Sequence, residues 1–339
     1  MIVVLTGGTG GAKFVDGLRR VLPPEELTMI VNTGDDHEWW GLYVSPDIDS
    51  ITYVLAGLLS DERGWGIRND TFHCLQVMKE LGEPSWFSVG DRDLATHLLR
   101  TKLLSQGGTL SEVAQTIAQK LGVRSRILPM SDMRVETRIE TPAGELSFEE
   151  YFVQRWYQDP VKSVRFAGAS ESEPAPGVLD AIARAQAVLI APSNPVTSIG
   201  PILAVPGIRD ALSNTPAQVV AVSPIIGNAA VSGPAGGLMI AQGLPVSIAG
   251  VATAYRGFLD ILVADDSDSQ SAQSLESRSP GRPRLVWADE GVRPYATNDN
   301  LHVHCTNILM RTIEDRERVA RTALSLACPE LVSTSAEVE

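Results

Sequence analysis

Hydrophobic and polar positions follow two different periods along the chain, and the places where the period changes mark its elements. Residues 2–5 form a short unbroken apolar run, a glycine-rich turn follows, residues 12–22 carry apolar side chains at helical spacing, and 28–32 are apolar again. That order predicts strand, turn, helix and second strand, the opening of a parallel βαβ unit. Further short apolar runs lie at 187–191, 218–222 and 261–264, with helical spacing at 177–184 and 208–212 beside them. Strands apolar on both faces belong in a sheet covered by helices. The pattern therefore predicts an α/β fold, Rossmann-like and doubly wound, with a mostly parallel sheet.

The middle of the chain changes character. Helical spacing dominates at 47–59, 71–81, 94–104 and 110–121, and Thr109 with Glu112 has capping-box spacing before the last of these. Residues 135–141 and 145–152 flank Pro142, Ala143 and Gly144, which predicts a hairpin. The expected organisation is a core built from 1–65 and 159–339, with 66–158 inserted as a mostly helical subdomain carrying the hairpin. Within the core, 266–283 is rich in Ser, Asp and Pro and almost without apolar residues, so it is expected to be a flexible linker or surface loop.

Composition narrows the class. With 339 residues, 44% hydrophobic and 20% charged, the chain can bury a large core and falls outside the disordered range. A net charge of -13 without clusters of Lys and Arg argues against binding to a nucleic-acid backbone. Cys74, Cys305 and Cys328 are too few and too scattered for a disulfide framework or a CxxC metal site, and His302, His304 and Cys305 lack a second ligand pair for zinc. No apolar stretch approaches the roughly 18 residues of a membrane helix, and no basic leader precedes the first strand. A cytoplasmic protein with no membrane partner is expected.

Gly7-Gly8-Thr9-Gly10-Gly11 follows the first strand and opens the first helix. Glycines there let backbone amides approach a phosphate, and the helix N-terminus adds partial positive charge. The loop is not a dinucleotide fingerprint, because Lys13 stands at the third glycine position, nor a Walker A loop, which would end in Gly-Lys-Ser/Thr. It points to an anion without naming the compound.

Beyond the second strand lies Asn32-Thr33-Gly34-Asp35-Asp36, and a second acidic pair, Asp47 and Asp49, opens the next helix. Asp47 has an equally simple reading as a helix N-cap. Magnitudes favour a metal: a helix N-terminus contributes about 0.3 to 1 kcal/mol toward an anion, too little to hold a diphosphate beside several carboxylates. Mg²⁺ takes one or two carboxylates together with phosphate oxygens. Asp35, Asp36, Asp47 and Asp49 are its candidate ligands. Arg92, in the polar stretch 90–97, has a phosphate-pairing reading and a surface-network one, while Ser193 and Asn194, in a proline-framed loop after the 187–191 strand, offer hydrogen bonds of the kind that read a base or ribose.

Seven strings, at 7–13, 32–36, 45–49, 90–97, 127–132, 191–195 and 223–227, together resemble the 2-phospho-L-lactate transferase family of coenzyme F-420 biosynthesis, with the likeness running from Met1 to about Asp265. The resemblance implies transfer of a phospholactyl group, or in bacterial relatives a phosphoenolpyruvyl group, from its diphosphoguanosine donor to the ribityl hydroxyl of the deazaflavin Fo. Mg²⁺ assists and GMP leaves. It further implies a homodimer, metal ligation by Asp35 completed by Asp47 or Asp49, and contact of Asp49 with Fo or its metal-linked hydroxyl, making Asp49 and Asp35 the catalytic candidates. The glycine loop (Gly7, Gly8, Thr9, Gly10, Gly11), Ser193 and Asn194 would hold the guanosine diphosphate portion, Lys13 and Asn32 are further substrate-binding candidates, and Ser88 stands where some relatives place a basic residue near Fo. Two rival readings are an NAD(P)-dependent oxidoreductase, since Asp35 lies near the position of a ribose-binding acid, and a non-catalytic nucleotide-binding module.

Overall fold

A computed structural model describes residues 1–277 and 301–330 in full and the backbone of 280–286 and 295–300. In chain order the strands are β1 (Ile2–Thr6), β2 (Leu27–Val31), β3 (His37–Trp39), β4 (Leu42–Val44), β5 (Arg126–Pro129), β6 (Glu136–Thr141), β7 (Gly144–Ser147), β8 (Ser163–Ala167), β9 (Ala187–Ile190), β10 (Gln218–Val222), β11 (Ile225–Ile226), β12 (Ala229–Ala230), β13 (Ile261–Ala264), β14 (Pro280–Val286), β15 (Tyr295–Asn300) and β16 (His302–Cys305). The helices that bear on the site are α1 (Gly8–Val21), α2 (Pro46–Leu55), α3 (His73–Glu80), α4 (Asp91–Ser105) and α5 (Leu110–Lys120).

Seven strands form one parallel sheet in the order β16-β13-β10-β9-β1-β2-β5. The order runs outward in both directions from β1 and β9, so the chain's direction of winding reverses between them. Loops leaving the carboxyl ends of these two strands must diverge, which opens a crevice there. Alternate residues of β1 feed two cores: Val3 and Leu5 pack with Ile30 and Ile190 on one face, Ile2 and Val4 with Met29 and Leu189 on the other. This two-sided burial is why the sheet strands read as unbroken apolar runs.

The doubly wound α/β reading is therefore what the chain adopts. The stretch 66–158 is helical through α3, α4 and α5, but it also supplies β5 to the edge of the central sheet and α5 to cover it, so part of it is core. The hairpin β6–β7 gains a third strand, β8, which lies outside the 66–158 boundary. The expectation for 266–283 is corrected over 266–276, where Asp266–Asp268 is a 3-10 turn and Ser269–Glu276 a helix with Ala272 buried, while 278 and 279 lie outside the described residues. The few apolar residues of that stretch fall on one face and find the core. His302, His304 and Cys305 are residues of β16. No described helix is long and apolar enough to cross a membrane.

On the second core face, α1 packs against the helix Ile313–Ala327, where Phe14, Val15 and Leu18 meet Val319, Ala320 and Ala323. Arg316 reaches across to Asp16 at 2.8 Å and to Asp61 at 2.8 Å. Gly17 makes the close approach possible, since a Cβ there would overlap the Arg316 carbonyl. Gly17→Ala should accordingly destabilise the protein by about 1–3 kcal/mol, despite alanine's helix preference. Urea unfolding checks this: a lower midpoint is expected, and an unchanged or raised one would show that the two helices are not held by this contact.

Candidate active site at the sheet switch point

The first turn of α1 is itself the glycine loop: the helix begins at Gly8, four residues before the expected start, and Gly8 has φ +66, a conformation that suits glycine. The other glycines are required by packing. A Cβ at Gly11 would crowd Ser193 Oγ and Thr6 Oγ1, and one at Gly10 would overlap the Pro192 carbonyl. The loops after β1 and β9 are thus in direct contact across the crevice. Ser193, buried, fastens them by donating its hydroxyl to the Gly7 carbonyl at 2.6 Å. Asn194 turns its Oδ1 to Val196 N at 3.0 Å and closes its own loop. Thr9 and Lys13 are exposed on α1.

Asn32 organises the carboxylates. Fully buried, its amide nitrogen lies 3.0 Å from Asp35 Oδ2, 2.9 Å from Asp47 Oδ2 and 3.3 Å from the Thr197 carbonyl, while its Oδ1 accepts from Gly34 N at 2.8 Å. One side chain thereby ties the loop after β2 to the start of α2 and to the loop after β9. Asp47 also accepts from Gly8 N at 2.6 Å, so the first amide of the glycine turn is occupied by a protein carboxylate. Asp47 thus caps α1 rather than the helix it opens, whose N-cap is Ser45. Asp36 accepts from Ser45 Oγ at 2.7 Å and Tyr43 OH at 3.0 Å.

Sequence reading missed three groups. The first is Glu149, buried beside these aspartates from the end of β7. The second is Arg100 of α4, which donates from both terminal nitrogens to the two oxygens of Asp49, with His97 Nδ1 3.5 Å from the same carboxylate. Asp49 is therefore neutralised by a buried guanidinium, and ligation of a metal would have to share that pair. Asp49, Asp93 and His97 place three ligand atoms within 4.8 Å of one another, but Arg100 in contact makes this an ion-pair network. The third is an aromatic group, Trp39, Trp40 and Trp86, with ring centroids 5.4 and 4.8 Å from that of Trp39. These rings, with Phe148, line a cavity of about 530 Å³ whose floor holds Asp35, Asp36 and Glu149. An aromatic pair at 39–40 directly after the Asp35-Asp36 loop was the available signal.

The remaining candidates are dispersed. Arg92 is exposed and donates to the Arg68 carbonyl at 3.3 Å, and its neighbour Asp91 accepts from His73 N and Cys74 N to cap α3. Ser88 is half-buried next to Phe87.

The electrostatics of the cluster are unbalanced. Burial, reinforced by Asp47, Glu149 and Asp36, pushes Asp35 well above the ordinary carboxylate range. Burial likewise raises Asp36 to about 8, Asp47 to about 6 and Glu149 to about 8. Asp35 Oδ1 is buried without a hydrogen-bond partner. Crowded hard oxygen donors, one of them unpaired, fit a divalent cation such as Mg²⁺.

This is the arrangement of an α/β enzyme that works on a ligand held beyond the carboxyl ends of its central strands. The family model of the 2-phospho-L-lactate transferase CofD matches residues 2–309. The chain is 45% identical over 275 residues to the 2-phospho-L-lactate transferase of Methanosarcina mazei, covering 81% of this chain and 90% of that one. It is 44% identical over 282 residues to the phosphoenolpyruvate transferase of Streptomyces coelicolor, covering 81% and 88%, and 40% identical over 333 residues to that of Kitasatospora aureofaciens, covering 96% and 97%. A solved structure from Bacillus halodurans, of the UPF0052 family, shares the fold with a TM-score of 0.60 at 19% identity, covering 95% and 98%. The chain belongs to the 2-phospho-L-lactate transferase family and is a transferase, which displaces the oxidoreductase and non-catalytic readings.

The raised carboxyls have a consequence for stability. Their unfolded values lie near 4, so in the metal-free protein their contribution is fully present below about pH 4 and is lost as pH rises through the folded values of about 6 to 8. The melting temperature of metal-free protein should fall between about pH 5 and about pH 9, and added Mg²⁺ should reverse the fall. A melting temperature indifferent to both would contradict the charge crowding.

Proposed function

We propose that the protein transfers a phospholactyl or phosphoenolpyruvyl group from its diphosphoguanosine donor to the terminal ribityl hydroxyl of the deazaflavin Fo, with Mg²⁺, releasing GMP in coenzyme F-420 biosynthesis. The observation that carries the reading is the crowd of buried carboxyls lying between the glycine turn and an aromatic cavity. Relatives named for lactate and for enolpyruvate stand at almost equal identity, 45% and 44%, so likeness alone does not choose between the two donors.

In this reading the acceptor hydroxyl oxygen attacks the phosphorus that bears the lactyl or enolpyruvyl oxygen, and the bond from that phosphorus to the bridging oxygen breaks as GMP leaves. The α1 turn and Asn194 hold the guanosine diphosphate portion, while Ser193 fixes the two loops at their contact. The rings of Trp39, Trp40, Trp86 and Phe148 suit a flat tricyclic acceptor, with stacking as the attraction. Asp35 would hold the cation through its unpaired Oδ1, and Asp47, whose oxygens also accept from Gly8 and Asn32, would complete the site. When bound, the cation neutralises charge on the phosphate oxygens and aligns them for in-line displacement. Asp49, fixed in two directions by Arg100, faces the acceptor hydroxyl or the cation, and the bidentate pair orients it.

Incubation of the protein with Fo, each candidate donor and Mg²⁺ should yield GMP and a deazaflavin heavier by the transferred group, read by mass spectrometry. Chelation should abolish product and Mg²⁺ restore it. Absence of product with every donor and cation would overturn the assignment. Asp49→Asn should lower turnover at least about tenfold in a folded protein, and near-normal rates would remove Asp49 from the site.

A further inference from the structure

On the reading above, we propose that Glu149 is a ligand of the site's divalent cation, delivered from the three-stranded sheet to meet Asp35 from the opposite side. Most carboxylates of the cluster are already committed. Asp36 accepts from Tyr43 and Ser45, Asp47 from Gly8 and Asn32, and Asp49 from Arg100 on both oxygens. Two donors remain. Asp35 Oδ1 is buried with no partner, and Glu149, only 6% exposed, makes no hydrogen bond or ion pair among the described residues. The cavity's arginines do not serve Glu149, because Arg134 and Arg138 both pair with Glu136.

The local sequence explains how an unpaired acid is held inward. Ser147-Phe148-Glu149-Glu150 closes a reciprocal cap in which Ser147 N donates to Glu150 Oε2 at 2.7 Å and Glu150 N donates to Ser147 Oγ at 3.2 Å. That cap commits the carboxylate of Glu150 to the turn and leaves its neighbour facing the cavity, which both residues line. A π-helical turn, Glu150–Gln154, follows, a conformation often retained at functional positions. The layers are joined directly beneath, where Thr137 N of β6 donates to the Gly34 carbonyl at 2.7 Å. A cation between Asp35 and Glu149 would therefore bridge the central sheet and the three-stranded sheet across the floor of the cavity. A buried carboxyl with neither donor nor cation is costly, and such a group is retained where a ligand supplies what the protein does not.

The test is Mn²⁺ binding by electron paramagnetic resonance, with Mn²⁺ as probe for Mg²⁺, on the full chain with and without GDP. Wild-type protein should bind, and Glu149→Gln, which is nearly isosteric, should weaken binding at least about tenfold, the lower end of what loss of even an outer-sphere partner costs. Replacement of a buried acid that no protein donor satisfies should leave the metal-free melting temperature of Glu149→Gln equal to or above wild type. If that variant fails to fold, Glu149→Asp, which keeps the charge but withdraws it by one methylene, should also bind Mn²⁺ more weakly. Wild-type Mn²⁺ affinity in a folded variant would overturn the assignment, and joined to lowered turnover it would make Glu149 a proton acceptor instead. Failure of the wild type itself to bind Mn²⁺ under either condition would refute the cation reading on which this rests.

Discussion

Buried negative charge at the carboxyl edge of the sheet is the constraint around which the molecule is arranged. Two like unit charges 4 Å apart at an effective dielectric near 20 repel by about 4 kcal/mol, whereas a helix N-terminus returns about 0.3 to 1 kcal/mol. Backbone amides therefore cannot balance Asp35, Asp36, Asp47 and Glu149, and among the described residues no Lys or Arg is paired with any of them. Asp49 is treated differently. Arg100 neutralises it on both oxygens, so the site contains one acid whose counter-ion is built in and several that await one.

The fold puts this charge where a ligand can use it. Reversal of winding between β1 and β9 forces their loops apart, and small residues then let the first turn of α1 lie directly on the Pro192–Ser193 backbone. Asn32 holds three segments at fixed separation through one amide. The result is a preorganised floor of crowded carboxyls beside aromatic walls, assembled from rigid elements rather than from a single loop.

Much of this was legible from residues alone. Apolar runs such as 187–191 and 218–222 exposed the sheet because both faces of each strand are buried, and the capping box at Thr109 and Glu112 was found in place. The glycine turn and the aspartates were readable because their spacing is local. Arg100 and Glu149 were not, since each reaches the cluster from a distant part of the chain and has nothing beside it to mark it. The exposed position of Arg92 shows the reverse case, a polar stretch whose local signal is helix capping. The segment 266–276 departs from its composition for another reason: a two-turn helix needs only Ala272 and Leu275 on one face to dock.

The most direct measurement is a calorimetric titration of GDP into protein stripped of divalent cations and into the same protein saturated with Mg²⁺. Above about pH 8, where the crowded carboxyls ionise, they should repel the diphosphate in the first case and admit it in the second, with affinity at least about tenfold higher. Equal affinity with and without Mg²⁺ would show that the cluster is not the counterpart of a cation-bound diphosphate.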